Sequence, residues 1–101
     1  MFYVYILYSR SINRYYIGHT DNVQRRIAEH NNPKRLNKYT ARVSDWELAI
    51  AISAGRTRSE AINIERYIKK QRSRKYIERI ISLKTKEDEL AQLDRVPTSR
   101  D

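Results

Sequence analysis

Residues 2–8 form an unbroken run of aromatic and branched apolar side chains, Phe-Tyr-Val-Tyr-Ile-Leu-Tyr. A strand with one wet face would alternate polar and apolar residues, and this run does not. It therefore reads as a strand buried on both faces. Phe2, Val4, Ile6 and Tyr8 share one face, while Tyr3, Tyr5 and Leu7 share the other. The length of 101 residues allows one domain with one hydrophobic core.

The rest of the chain supplies elements to cover that strand. Residues 9–13 are polar and turn-like, and residues 14–17 make a second short strand, so the chain opens with a hairpin around a five-residue loop. Thr20 and Asp21 offer N-cap side chains, and Val23, Ile27 and His30 follow at helical spacing. This predicts a helix over 21–31, stopped by Asn31, Asn32 and Pro33. Trp46, Leu48, Ile50 and Ile52 alternate with Glu47, Ala49 and Ala51 and mark a third strand. Thr57-Arg58-Ser59-Glu60 is a capping box, and Ala61, Ile64 and Ile68 form the stripe of a helix ending near Gln71. Ser73 can cap a further helix carrying Ile77, Ile80, Ile81 and Lys84. The order β-β-α-β-α-α defines a small α+β domain, a three-stranded antiparallel sheet flanked by helices. Its expected extent is 1–83, with 84–101 as a flexible or partner-binding tail.

Charge narrows the partners. Lys and Arg number 21 against 12 acids, for a net charge of +9. The surplus lies within 1–83, because the tail carries four basic and five acidic residues. Such a field favours nucleic acid ahead of an acidic membrane. The absence of cysteine excludes disulfides, zinc–thiolate sites and a thiol nucleophile. With only two glycines, a glycine-rich phosphate cradle is excluded too. No apolar run reaches membrane-spanning length, and no signal-peptide pattern opens the chain, so a cytoplasmic location is the expectation.

Several residues could carry chemistry. Eight tyrosines are present, and Tyr5 and Tyr16 fall on the two arms of the hairpin. Tyr16 and Gly18 share a face under strict alternation, so Gly18 is expected to leave a gap beside a phenol. Arg26 and His30 lie four apart on one helix face, with Arg25 adjacent. A guanidinium binds phosphate bidentately, and nearby cations favour a phenolate. Glu65 sits at the edge of an apolar stripe. It is either a salt-bridge partner of Arg66 or Lys69, or an oxygen ligand for a hard divalent cation. Arg66, Lys69, Lys70, Arg72, Arg74, Lys75 and Arg79 crowd into fourteen residues and form a ridge suited to phosphates.

Taken in order, these residues resemble a known family. Tyr3-Val4-Tyr5 followed by Tyr15-Tyr16-Ile17-Gly18, then His19-Thr20-Asp21 through Arg26 to His30, then Thr57 to Ala61 running into Glu65, are similar to the motifs of the GIY-YIG nucleases. The likeness covers roughly residues 2–81 and is to the small single-domain bacterial type, similar to the N-terminal nuclease domain of the excision-repair nuclease subunit. Tyr3 stands where the namesake glycine of the family would be, and 71–74 lacks the asparagine many members carry after the glutamate helix.

The resemblance implies a DNA endonuclease dependent on Mg²⁺ or Mn²⁺. By position, Tyr5 and Tyr16 are the motif tyrosines, Gly18 the motif glycine, Arg26 the phosphate-binding arginine, His30 the helix histidine and Glu65 the metal ligand. Tyr16 is favoured as base with Tyr5 as its hydrogen-bond partner. Gly18, Arg25, Lys69, Lys70, Arg72, Arg74 and Lys75 would face nucleic acid: branched, damaged or distorted DNA, with RNA sharing the phosphate chemistry. The rival readings are a nucleic-acid-binding module with a weak or silent site, working with a partner through the tail, and a basic protein that binds acidic protein or lipid.

Overall fold

The structure, a computed structural model, describes residues 1–32, 34 and 39–94, with 85–94 described as backbone only. It is an α+β fold in the expected order: β1 (Phe2–Ser9), β2 (Arg14–Thr20), α1 (Val23–His30), a 3₁₀ turn (Thr40–Arg42), β3 (Trp46–Gly55), α2 (Arg58–Lys70) and α3 (Arg74–Asp94). The chain divides into two compact units, Met1–Lys70 and Gln71–Asp101.

In the first unit the sheet order is β2-β1-β3, all antiparallel. The central place of β1 is the reason its apolar run is unbroken. Val4, Ile6 and Leu7 are fully buried, and Tyr5 almost so. Cross-strand pairs share a face. Val4 with His19 and Ile52, and Ile6 with Ile17 and Ile50, therefore make one face. Tyr5 with Gly18, and Leu7 with Tyr16 and Leu48, make the other. The second face carries a cluster of Tyr5, Leu7 and Trp46, with Ile12, Tyr16, Ile27 and Val43 packed against it, so α1 covers it through Ile27. The first face is covered by α2, whose Ala61 and Ile68 are buried and whose Glu65 reaches His19.

Local differences from the sequence reading have physical causes. Ser9 pairs with Arg14, so the hairpin loop is one residue shorter than expected, with Asn13 at φ 53° closing the turn. The cap of α1 is Asn22, which accepts from Arg25 N at 3.0 Å, rather than Thr20 or Asp21. Thr20 Oγ1 instead accepts from Asn22 N and orients that cap. In β3 the register slips between Ile6 and Leu7 of β1, which pair with Ile50 and Leu48. The unpaired Ala49 is a bulge, and it sends Leu48 and Ile50 to opposite faces despite their even spacing. The capping box at Thr57 and Glu60 forms as expected, with reciprocal bonds of 3.2 and 3.1 Å. The Thr57 hydroxyl, donating to Glu60 Oε1 at 2.9 Å, and Thr57 N together hold the Glu60 carboxyl below its usual range.

Two ties fix the chain around the α1 face. The side-chain amide of Asn31 donates to Trp46 O and accepts from Trp46 N, at 2.9 and 2.8 Å. The Trp46 indole donates to Thr40 O at 2.9 Å. The end of α1, the 3₁₀ turn and the start of β3 are thereby held together.

In the second unit Ser73 accepts from Tyr76 N at 3.1 Å, capping α3 as expected. Helical backbone continues to Asp94, ten residues beyond Lys84. Residues 84–94 contain no glycine or proline and carry Lys, Glu, Leu, Gln and one Ala at most positions, so propensity sustains the helix where the apolar stripe has faded. The rest of the expected tail, 95–101, lies outside the described residues.

Candidate active site

The candidate residues of the first unit gather on the two sides of β2, the edge strand. On the α1 side the Tyr5 hydroxyl lies 2.8 Å from His30 Nε2, and His30 Nδ1 lies 2.9 Å from Thr40 Oγ1. All three side chains are essentially inaccessible to water. Burial, reinforced by neighbouring Tyr16, pushes the Tyr5 phenol up to about 12, and Arg26 opposes this only in part. Tyr5 therefore keeps its proton at neutral pH. Arg26 also donates toward the Tyr5 oxygen, and the His30 ring bridges the Tyr5 and Thr40 hydroxyls. The expectation that the Arg–His pair would favour a phenolate is reversed at Tyr5, because desolvation exceeds the attraction of one guanidinium.

Tyr16 stands between this core and solvent. Its ring centroid is 4.7 Å from that of His30 and 6.3 Å from that of Tyr5. Unlike Tyr5 it is only half-buried. Arg26 is held by Glu29, NH1 to Oε1 at 2.8 Å, and remains partly exposed.

Gly18 does not leave the expected opening. It pairs with Tyr5 across the strands, and a Cβ there would stand 2.5 Å from the Tyr5 hydroxyl and 2.7 Å from its Cζ. The missing side chain makes room for the Tyr5 phenol, which fills the gap.

On the α2 side Glu65 accepts from two partners. His19 Nδ1 meets Oε1 at 2.6 Å, and Lys69 Nζ meets Oε2 at 2.6 Å. The Glu65 side chain retains 15% exposure. Its negative charge reaches across the strand and also raises the Tyr5 phenol. A carboxylate has about four lone-pair sites, so both oxygens can accept again. Among the described residues no group of three or more His, Cys, Asp or Glu assembles. Mg²⁺ commonly takes one or two carboxylates and completes its shell with water and phosphate. A solvent-reached single carboxylate fits that donor set.

A cavity of about 320 Å³ lies along β2, lined by Tyr15, Tyr16, Ile17, Tyr39 and Lys69. Tyr15, Ile17 and His19 alternate with Tyr16 and Gly18 along β2, so the cavity wraps the outer edge of that strand.

The predicted basic residues divide. Lys69 belongs to the Glu65 cluster. Arg25, on α1, pairs with Asp21 at 3.1 Å and lies 3.7 Å from Glu29. Lys70 is exposed at the end of α2. Arg72, Arg74 and Lys75 belong to the second unit, where Arg74 pairs with Glu78. Sequence reasoning missed His19, Thr40, Tyr15 and Tyr39 as site residues. His19 was within reach, because strand alternation puts it on the Ile17 face. Thr40 was not, because its place depends on Trp46 and Asn31.

The profile of the GIY-YIG catalytic domain matches residues 1–77. No curated protein and no solved structure gives a significant match. With the profile spanning most of the chain, the protein belongs to the GIY-YIG nuclease superfamily, as a small single domain. Its nuclease fold implies endonuclease chemistry on nucleic acid.

Proposed function

We propose that the protein is a divalent-metal-dependent endonuclease that hydrolyses DNA phosphodiester bonds at the β2 edge, directed by DNA structure rather than sequence. The observation that carries this reading is Tyr16 in the wall of one accessible cavity, with Glu65 joined to that wall through its ion pair with Lys69. Arg26 and Lys69 bring positive charge to the same strand.

In this reading Tyr16 is the general base that takes the proton of the attacking water. Water oxygen bonds to phosphorus as the bond to the leaving oxygen breaks. Arg26 steadies the added negative charge on the phosphate. Tyr5, protonated, and His30 lock the Tyr16 environment through their buried hydrogen bonds. Glu65 would hold Mg²⁺ or Mn²⁺, with His19 and Lys69 orienting its oxygens. The ion, when bound, supplies positive charge at the scissile phosphate. Lys70, Arg25, Arg72, Arg74 and Lys75 contribute phosphate contacts with little sequence preference. Repair or recombination of branched, damaged or distorted DNA inside the cytoplasm suits such a structure-directed activity.

The test is cleavage of linear, branched, mismatched and single-stranded DNA with Mg²⁺, Mn²⁺ or EDTA. Cleavage abolished by EDTA supports the proposal. Salt-sensitive binding with no cleavage on any substrate would replace it with the binding-module reading.

A further inference from the structure

The cavity on the β2 edge has a composition the hydrolytic step does not need. Three of its five lining residues are tyrosines, and only Tyr16 is assigned chemistry. At about 320 Å³ it stands at the small end of ligand pockets. That suits one planar ring system and excludes a duplex. Tyr39 keeps 39% of its surface exposed while packing on Tyr16 and Trp46, with centroids at 6.0 and 6.3 Å. Arg42 lies over the same ring, 6.0 Å from its centroid. A partly exposed ring in a cavity wall is a stacking platform, and every base has a π-face to offer it. Lys69 supplies a cation at the same cavity for the phosphate that follows a base.

We infer that this cavity receives one unstacked nucleobase of the substrate strand, next to the phosphate that is cut. The inference rests on the nuclease reading above and sharpens it. The substrate class becomes DNA in which a base is already unpaired, because extruding a paired base costs stacking and pairing energy that an unpaired base does not. Branching without an unpaired base is then insufficient.

The experiment compares three DNA duplexes of similar length, bound by the full chain in EDTA. One is fully paired, one carries a single-base bulge, and one carries an abasic bulge that keeps the kink and backbone but lacks the base. The inference expects the base bulge to bind about tenfold tighter than the abasic bulge, within the roughly 5- to 150-fold that one base–aromatic stack gives. Tyr39→Ala should erase that preference and Tyr39→Phe should keep it. If Tyr39→Ala fails to fold, the wild-type comparison of the two bulges decides alone. Equal, salt-dependent binding of all three duplexes overturns the base pocket and leaves the nuclease reading standing. Absence of salt-dependent binding to any of them overturns both.

Discussion

The two flanks of β2 are built on opposite principles. On the α1 side Tyr5, His30 and Thr40 form a dry hydrogen-bonded chain in which the phenol is held protonated by burial. On the α2 side His19, Glu65 and Lys69 form a chain that carries charge and remains in contact with water. A buried hydrogen-bonded chain fixes geometry, because leaving any member unpaired is costly. A wet charged chain keeps the remaining lone pairs of its carboxylate within reach of a cation from solvent. The difference places rigidity under Tyr16 and ion access opposite it.

The strongest challenge to that division is a comparison of the two tyrosines. Tyr16→Phe should lower single-turnover cleavage by about 10²–10⁴, the usual worth of a general base, with little change in melting temperature. Tyr5→Phe should do the reverse. It strands His30 Nε2 in the core, so stability should fall by about 1–3 kcal/mol while cleavage per folded molecule falls less than in Tyr16→Phe. If Tyr5→Phe proves the greater loss of rate, the base lies on the buried side and the comparison is inverted.

Gly18→Ala probes the packing beneath the phenol. A methyl group 2.5 Å from the Tyr5 hydroxyl forces strand or ring to move, at about 1–3 kcal/mol by urea denaturation. The cost should shrink in a Tyr5→Ala background, because the clash partner has gone. Additive losses would show that Gly18 serves something other than Tyr5.

The mildest effect is alkaline. Above its ordinary value near 10, the Tyr5 phenol ionises in the unfolded chain but stays protonated in the fold up to about 12. The folded state then binds more protons than the unfolded state. Stability should fall as pH rises through that window, by up to roughly 1.4 kcal/mol per pH unit. Urea titrations at pH 8, 10 and 11 on the wild type and Tyr5→Phe would read it. The variant should lack this component.

Much of this was legible in the sequence, for reasons that differ by element. The unbroken run of β1 revealed a strand with both faces covered, and the Thr57–Glu60 box marked the start of α2, because both signals are local. The bulge at Ala49 was hidden, since even spacing in β3 carries no mark of an extra residue. The role of Gly18 was misread because it depends on the cross-strand register that brings Tyr5 over it. Tyr5, Tyr16, Arg26 and His30 were legible by motif spacing and do converge in space. His19 escaped because its partner sits 46 residues away on a helix that only the fold brings near. The protonated state of Tyr5 escaped because burial is a property of packing.

The most direct test of the account is the cleavage rate per folded molecule of Glu65→Gln at saturating Mg²⁺. The substitution preserves size and can still accept from His19. Loss of the pair with half-exposed Lys69 should cost under about 1 kcal/mol. The account predicts a folded protein whose cleavage has dropped by about 10²–10³ or more, the scale on which removing a transition-state stabiliser is felt. A Glu65→Gln protein that melts earlier but cleaves normally once corrected for the folded fraction would contradict it, and would leave Glu65 as the salt-bridge partner of Lys69 and His19.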